Sequence, residues 1–280
     1  QVSDGNTAIN GKLTADITVN ENVLVDGVLN SNAKEFRAWT PIGSSYVGTF
    51  DGGDHTVSGL YFANSNVSYV GLFKSVAADG KVQNVGVIDS YIFGSFYVGG
   101  VVGYNYGTVT NCYNTGRVVG PSGDVGGVVG LNYGIVTDCY HTGTVSGGDY
   151  IGGVVGSNYP TGKVADCYDI GTVSGDRHIG GVVGYNNGSV TNSYYDQTVY
   201  SGTAIGTEKG TSTNAEGKTT GQFASGEVAY LLQGEQAEQA WGQAIGSDPY
   251  PVLGGAAVLM LLCVAVLVSQ SYNPFIYFQF

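Results

Sequence analysis

The 280-residue chain carries little charge, and most of what it carries is negative. Only 11% of its residues are Asp, Glu, Lys or Arg, whereas roughly a quarter is usual. The 22 acidic and 10 basic residues give a formal net charge of −12. Because nucleic acids and anionic lipid surfaces bind through concentrations of Lys and Arg, we predict no nucleic-acid partner. The surface must be built from Gly, Ser, Thr, Asn and 21 Tyr, which suits glycans or other protein surfaces.

Histidine and cysteine, the usual ligands of zinc, are also scarce. The chain has three His and four Cys, with no Cys-x2-Cys pair and no His in register with the cysteines. A zinc site is therefore not predicted. The run Asp51–His55 is typical of a tight turn rather than of a metal site. No metal and no cofactor is predicted.

Helical periodicity is missing between residues 60 and 200, and glycine repeats take its place. The phrase Val/Ile-Gly-Gly-Val-Val-Gly begins at Val98, Val125, Ile151 and Ile179, and its first glycines are 27, 26 and 28 residues apart. A shorter copy begins at Val70. Similarity at such a period indicates stacked units that cannot bury their apolar faces alone.

The repeats agree in three further columns. These are Asn105, Asn132, Asn158 and Asn186; Cys112, Cys139 and Cys167; and Tyr113, Tyr140, Tyr168 and Tyr194. Short Val, Thr and Tyr runs broken by Gly and Asn predict strands and turns. The sequence therefore predicts an all-β, right-handed parallel β-solenoid (β-helix) with ~27-residue coils of three strands, stacked ~4.8 Å apart.

Each of these columns is expected to form a ladder along the stack. Asparagine side chains hydrogen-bond from coil to coil, and tyrosine rings stack. The cysteines are expected to be free and buried, since side chains in register point in parallel and suit a disulfide poorly. A bridged pair is the alternative.

The stretch Gly99–Gly116 and its three sister copies resemble the GLUG-motif family. Residues 39–43 and 50–60 are similar to a lead-in that such proteins often carry. The resemblance implies a bacterial secreted or surface protein of an adhesin-like kind, or an accessory region of a surface protease, and it brings no catalytic residue. The start at Gln1 agrees with a mature product after signal-peptide removal, so an extracellular or cell-surface location is expected.

Four regions are predicted along the chain. Residues 1–60 start the solenoid, 61–200 form its regular coils, 201–253 form a C-terminal cap, and 254–280 form an uncharged hydrophobic tail. Within the cap, residues 202–221 are expected as a loop, and residues 223–232 and 237–241 as short helices.

The tail contains 13 uninterrupted apolar residues, from Ala256 to Val268, followed by an aromatic end. The hypothesis favoured here is self-association into a homopolymer or filament, mediated by Leu259, Leu262, Val266, Phe275, Ile276, Phe278 and Phe280. The alternative is a membrane anchor. Counting from Val252, the 17-residue run reaches only ~26 Å as a helix, against a hydrocarbon core of ~30 Å.

Two other functions were weighed against a structural or adhesive role. Polysaccharide cleavage would use acidic residues such as Asp138 and Asp166, but their column also holds Asn111 and Asn192. Turn and ladder bonding explains that column without catalysis. Ice binding needs an unbroken Thr column, which Ala165 interrupts. The sequence thus predicts a non-enzymatic extracellular protein without catalytic residues.

Overall fold

A computed structural model describes residues 7–254. It is an all-β structure, 50% strand and 6% helix, in which parallel sheets stack as a β-solenoid of about five turns. The prediction of a β-solenoid is confirmed, whereas its right-handed sense stays a prediction. The chain divides into two compact units, Gln1–Lys218 and Thr219–Phe280.

The first unit begins with short strands that extend the stack. They are β1 (Gly11–Lys12), β2 (Ile17–Thr18), β3 (Leu24–Val25), β4 (Val28–Leu29), a 3-10 helix (Ala33–Glu35), β5 (Thr49–Ser58) and β6 (Tyr61–Ala63). Strands β1 and β2 both pair with β5 in parallel, and β3 forms an antiparallel hairpin with β4. The stack of parallel strands thus starts well before the first glycine phrase.

The repeated coils follow from Phe73 to Lys218. Their strands are β7 (Phe73–Val76), β8 (Lys81–Ile88), β9 (Tyr91–Phe93), β10 (Phe96–Gly99); β11 (Val102–Asn105), β12 (Thr108–Asn114), β13 (Arg117–Gly120), β14 (Gly123–Gly126); β15 (Val129–Asn132), β16 (Ile135–Thr137), β17 (Tyr140–His141), β18 (Thr144–Gly147), β19 (Asp149–Gly152); β20 (Val155–Asn158), β21 (Lys163–Ala165), β22 (Tyr168–Asp169), β23 (Thr172–Ser174), β24 (Arg177–Gly180); β25 (Val183–Asn186), β26 (Ser189–Asp196), β27 (Ile205–Glu208) and β28 (Thr211–Lys218).

These strands form four parallel sheets rather than the predicted three. The first sheet contains β7, β11, β15, β20, β25 and β27; the second β1, β2, β5, β8, β12, β16, β17, β21, β22, β26 and β28; the third β6, β9, β13, β18 and β23; the fourth β10, β14, β19 and β24. The fourth strand arises because the chain turns within the glycine phrase itself. Gly99 ends strand β10 of the fourth sheet, and Val102 begins strand β11 of the first sheet.

Each regular coil contributes to two apolar cores. In the second coil, Val101, Val102, Val109 and Cys112 lie in one core, and Val98 and Val118 lie in the other. All six side chains are fully buried. The valine and cysteine positions of the repeat therefore form continuous apolar rows through successive coils.

A buried polar column packs against the second glycine of each phrase. A Cβ atom on Gly127 would overlap the His141 ring, and one on Gly153 would overlap the Asp169 side chain and the carbonyl oxygen of Gly181. These glycines have no positive φ. Glycine is therefore needed at these positions to leave room for neighbouring atoms, and not for a left-handed backbone.

The coils continue past the expected boundary at residue 200. Strand β27 pairs with β25 and β28 pairs with β26, all in parallel, so most of the run 202–221 is strand instead of the expected loop. Glu208 follows Asn186 by only 22 residues in the same register. The last coil omits strands of the third and fourth sheets, which removes the glycine phrase that marks the other coils.

The second unit contains two short helices and a strand pair. Helix α1 (Thr220–Ala224) begins with a capping box between Thr219 and Gln222, and α2 is Glu227–Gln233. One helix was predicted over residues 223–232, but the structure has two, which are separated by Ser225 and Gly226. The helix predicted at 237–241 is absent, because Trp241 starts β29 (Trp241–Gly242), antiparallel to β30 (Val252–Leu253). All the named assembly residues of the tail, Leu259 to Phe280, lie outside the described residues.

A tyrosine-rich face as the candidate functional site

The asparagine column is a buried hydrogen-bond ladder. The Nδ2 atoms of Asn105, Asn132 and Asn158 each donate to the Oδ1 of the next asparagine at 2.8 Å, and Asn186 donates to Glu208 Oε1 at 2.8 Å. The four asparagine side chains are fully buried. Because coil-to-coil bonding occupies the amides, this ladder holds the coil register rather than a ligand.

The cysteine column is apolar interior. Cys112, Cys139 and Cys167 are free and fully buried. Their Sγ atoms lie 3.0–3.1 Å from the carbonyl oxygen two residues earlier. Burial and the neighbouring thiols raise the pKa of the Cys139 thiol. Such thiols are poor nucleophiles and poor metal ligands.

The predicted tyrosine column also lies largely inside the fold. Ring centroids are 4.8 Å apart between Tyr113 and Tyr140 and 4.9 Å apart between Tyr140 and Tyr168, with planes within 4° of parallel. Tyr194 continues the register and carries the Lys218 ammonium 5.6 Å from its ring centroid. This ladder therefore offers little surface to a ligand.

Asp138 and Asp166 occupy a corner at which the backbone is left-handed in every coil. The residues and their φ angles are Asn84 (55°), Asn111 (51°), Asp138 (52°), Asp166 (53°), Asn192 (43°) and Asn214 (52°). Asn and Asp tolerate this conformation better than other side chains do. Asn192 Nδ2 donates to Asp166 Oδ1 at 3.2 Å, and Thr137 Oγ1 donates to Asp138 Oδ2 at 3.1 Å. Because Asp138 and Asp166 share this left-handed backbone with the asparagines of the same column, the position is a structural corner.

A different surface, which we name the tyrosine face, brings three columns together. The columns are Tyr69, Tyr97, Asp124, Tyr150 and His178; Tyr104, Leu131, Ser157 and Tyr185; and Tyr106, Tyr133 and Tyr159. The third column is stacked, with ring centroids 4.9 Å apart. Tyr106 is 46% exposed, so the face is accessible.

Left-handed backbone and close glycine packing shape the first column of this face. Its five residues have φ between 52° and 64°, which is uncommon for tyrosine. A Cβ atom on Gly130 would contact the Tyr97 backbone, and one on Gly156 would contact the Asp124 backbone. Because the next coil has glycine at this point, no side chain separates the two coils. A first-column residue therefore contacts the second-column residue of the next coil. Tyr150 and Tyr185 meet in this way, with ring centroids 5.4 Å apart.

Asp124 interrupts the aromatic first column. Tyr97 packs against Tyr69 at a tilt of 37°, and Tyr150 stacks on His178, each with centroids 4.9 Å apart. Asp124 stands between these two pairs, where its Oδ1 accepts a short hydrogen bond from Ser157 Oγ. The carboxylate is 9% exposed. The centre of the face is therefore a small polar pair flanked by rings.

Burial is the main reason that the pKa of Asp124 rises to about 6, with a contribution from the charge of Asp149; the Ser157 hydrogen bond opposes the rise. Burial, together with the Asp124 charge, also raises the pKa of the Tyr97, Tyr133 and Tyr159 hydroxyls. Three phenol groups therefore lie close to the carboxylate. Their hydroxyls have no hydrogen-bond partner among residues 7–254.

The columns of this face are not among those predicted from the sequence. Its signal is the residue immediately before each glycine phrase, which is aromatic or a histidine at four positions and Asp124 at the fifth. A second signal is the aromatic residue directly after the third glycine, as in Tyr104 and Tyr185. Neither signal implies contact until the chain is known to turn back within the phrase.

Metal ligation and membrane crossing receive no support in the part of the chain that the structure describes. Residues 7–254 contain no group of three His, Cys, Asp or Glu side chains arranged to hold a metal ion. In the same range, neither helix has the length and apolar character needed to cross a bilayer.

Comparisons with known proteins agree with the fold. The GLUG motif model matches residues 94–119. Halomucin of Haloquadratum walsbyi is 32% identical over 121 residues, which is 42% of this chain but only 1% of halomucin. A crystal structure described as an immunoglobulin A1 protease from Bacteroides ovatus superposes with a TM-score of 0.63 and 18% identity, covering 88% of this chain and 86% of that one. At that identity the likeness concerns the fold alone. The chain is therefore a β-solenoid in which residues 94–119 match the GLUG motif.

Proposed function

We propose that this protein is a non-enzymatic, secreted or surface-exposed scaffold that adheres to glycans through its tyrosine face. The observation that carries the proposal is the array of tyrosine rings around Asp124, whose hydroxyls have no hydrogen-bond partner among residues 7–254. The GLUG motif and the likeness to halomucin support a surface or secreted location.

The chemistry of the face suits a sugar polymer. Tyrosine combines an apolar ring face, on which the C–H face of a sugar packs, with a hydroxyl that donates and accepts hydrogen bonds. The columns repeat along the solenoid at ~4.8 Å, so they offer an extended row of contacts. A polymer with hydroxyls on a rigid ring is complementary to such a row.

The described histidines lack the arrangement needed for hydrolysis. His141 is fully buried; its Nδ1 lies 2.8 Å from Asp169 Oδ1, and its Nε2 accepts from the Gly143 N–H at 3.2 Å. No side-chain nucleophile meets this pair. His178 Nδ1 lies 2.6 Å from Thr207 Oγ1, but its Nε2 is 3.8 Å from the nearest Asp149 oxygen.

Arg177 also forms an ion pair with Asp149, the acid that would have to orient a catalytic His178. Its Nη2 lies 2.8 Å from Asp149 Oδ2. A general base needs its orienting partner within hydrogen-bond reach. We therefore assign His141 and Asp169 to structure, and the tyrosine face, which includes His178, to binding.

Binding to soluble and insoluble polysaccharides, with the mass of the bound sugar measured afterwards, tests the proposal. The full chain should retain glycan that is recovered intact. The double variant Tyr104→Ala/Tyr185→Ala should lose roughly tenfold or more of the affinity, since aromatic contacts dominate binding energies. The matched control is Tyr61→Ala/Tyr91→Ala, which removes a ring pair from the third sheet.

Two outcomes would contradict the proposed function. One is equal binding by both double variants, which would show that the tyrosine face does not bind. The other is release of oligosaccharide that disappears in Asp138→Asn or Asp166→Asn, which would establish an enzyme. The same measurement on Thr207→Ala tests for catalysis at His178, because Thr207 Oγ1 is the hydrogen-bond partner of His178 Nδ1.

Self-association through the tail is a second proposal. It stands on the 13 consecutive apolar residues of the sequence and on the strong tendency of such surface to leave water. It is compatible with the first proposal, because a filament of adhesive solenoids would present the tyrosine face many times.

A further inference from the structure

The interruption at Asp124 has a defined width. Tyr97, Asp124 and Tyr150 occupy one column on three successive coils, in the same left-handed conformation. The two tyrosines are therefore two coil spacings apart, about 9.6 Å. One side of each ring is taken by Tyr69 or His178, which pack against it from outside the pair.

Asp124 thus leaves the coil between Tyr97 and Tyr150 without an aromatic ring in this column. A spacing of about 9.6 Å between the two flanking coils is enough for one further ring to pack between the tyrosines. We define this space as the slot: Tyr97 and Tyr150 are its walls, and Asp124 with Ser157 is its base. Leu131 lies beside the base, in register with Tyr104 and Ser157.

The polar groups at the slot have unused bonding capacity. Asp124 Oδ1 accepts from Ser157, while its Oδ2 has no hydrogen-bond partner within residues 7–254. The hydroxyls of Tyr133 and Tyr159 face this carboxylate closely enough for its charge to raise their pKa values. A carboxylate oxygen that bonds to no other side chain can accept hydrogen bonds from a ligand that donates them.

Charge decides which ring-shaped ligand fits. Asp124 and the nearby Asp149 repel uronic acids, sulfated sugars and phosphates, and the chain as a whole carries −12. A polyol can accept hydrogen bonds from the tyrosine hydroxyls and donate to the carboxylate. An alkylammonium ion cannot accept hydrogen bonds, so it matches this set of groups less well. We infer that the slot between Tyr97 and Tyr150 binds one ring of a neutral glycan, with its hydroxyls bonded to Asp124 and Ser157. This inference rests on the proposed function and names its ligand class and central subsite.

The substitution Asp124→Tyr tests the slot with little risk to folding. Tyrosine already stands at this column position in the coils before and after, with φ of 56° and 54°. The variant fills the slot and makes the column continuous. Asp124→Asn keeps the slot open but removes the charge, and Asp166→Asn is the matched control at the distant structural corner. Thermal unfolding of each variant verifies the fold.

Titration calorimetry of the full-length proteins with cellotetraose, chitotetraose and mannotetraose gives the readout, with choline and polygalacturonate as charged probes. We expect wild type to bind at least one neutral tetramer. Asp124→Tyr should weaken that binding roughly tenfold or more, Asp124→Asn should weaken it less, and Asp166→Asn should leave it unchanged.

Each contrary result overturns the inference in a distinguishable way. Equal neutral-glycan binding by wild type and Asp124→Tyr excludes the slot; if Tyr104→Ala/Tyr185→Ala still loses binding, the proposed function survives. Binding of choline but of no neutral tetramer shows that the slot is a cation cage. Binding of polygalacturonate alone, or of no probe at all, also removes the assignment to neutral glycans.

Discussion

His141 Nδ1 lies 2.8 Å from Asp169 Oδ1, and both side chains are buried. The coil before them carries Asn114 at this position, whose Nδ2 donates to the Gly127 carbonyl at 3.0 Å. The Gly143 N–H donates to His141 Nε2, so the Nδ1 proton is directed at the carboxylate. A buried pair of this kind destabilises strongly when one partner is removed.

We predict that His141→Ala lowers the free energy of unfolding by about 3–5 kcal/mol, because it leaves Asp169 buried without its main partner. His141→Asn should cost less, since asparagine already fits this column in the preceding coil. Urea unfolding of both variants measures the difference. Equal losses would show that packing volume, rather than the polar contact, determines the stability here.

We predict that the glycines of the repeated phrase are required because a larger residue would overlap neighbouring atoms. Gly153→Val should lower the free energy of unfolding by at least ~1–3 kcal/mol, because the new Cβ overlaps the Gly181 carbonyl and the Asp169 side chain. Gly126→Val should behave similarly, through overlap with the Val129 carbonyl. The control is Gly221→Ala in α1, where a Cβ would meet Thr219 Oγ1 at 3.8 Å, an ordinary van der Waals contact. Unchanged melting curves for both valine variants would contradict the stacked register.

Mild acid is predicted to stabilise the fold. The pKa of Asp124 and of Asp166 is about 6 in the folded chain, against an ordinary 3.8, chiefly because of burial. Between these values the folded state holds more protons than the unfolded state, so stability falls as pH rises through that window and is constant above it. Lowering the pH from 7.5 to 5 should therefore raise the midpoint of urea unfolding.

Asp166→Asn isolates one contributor to this pH dependence. At pH 7.5 the variant should be more stable than wild type, by on the order of 1 kcal/mol, because it relieves the burial of a charge beside Asp138. Its stability should also vary less between pH 5 and 7.5. A variant with the wild-type pH profile would show that Asp166 titrates normally in the folded chain.

The thiols of the cysteine column are predicted to react only after unfolding. Cys112, Cys139 and Cys167 are fully buried and free. Iodoacetamide labelling followed by peptide mass spectrometry should leave all three unmodified in native buffer and modify all three in urea. A mass corresponding to a disulfide among them, or rapid native labelling, would contradict the buried ladder.

Tail removal separates assembly from folding. A chain ending at Leu253 should fold and sediment as a monomer, while the full chain should form oligomers or fibres without lipid, because 13 consecutive apolar residues favour burial. Sedimentation velocity in detergent-free buffer compares the two. A monomeric full chain that partitions into liposomes would instead establish a membrane anchor.

The period of the repeat was enough to predict the stacked coils, because the phrase, the Asn105 column and the Cys112 column each recur once per coil. It was not enough to locate the end of the coils. The last coil replaces the asparagine with Glu208 and shortens the period, so its strands carry little of the repeat pattern. Pairing with the preceding coil, rather than local sequence, makes β27 and β28 strands.

The tyrosine face could not be predicted because its contacts join different coils. Ser157 meets Asp124 only because the fourth-sheet residue of one coil packs against the first-sheet residue of the next. Tyrosine also rarely adopts a left-handed backbone, so the local sequence at Tyr97 and Tyr150 does not predict that conformation. The Asp138 column was predictable for the opposite reason, since asparagine and aspartate themselves favour such corners.

Nitration footprinting with the bound glycan tests the central claim most directly. Full-length protein is treated with tetranitromethane with and without saturating glycan, and each tyrosine is quantified by mass spectrometry. The account predicts protection of Tyr97, Tyr150 and Tyr185, with no change at Tyr61 and Tyr91 on the third sheet. Protection of Tyr61 and Tyr91, or no protection of the tyrosine face by a glycan that binds, would contradict it.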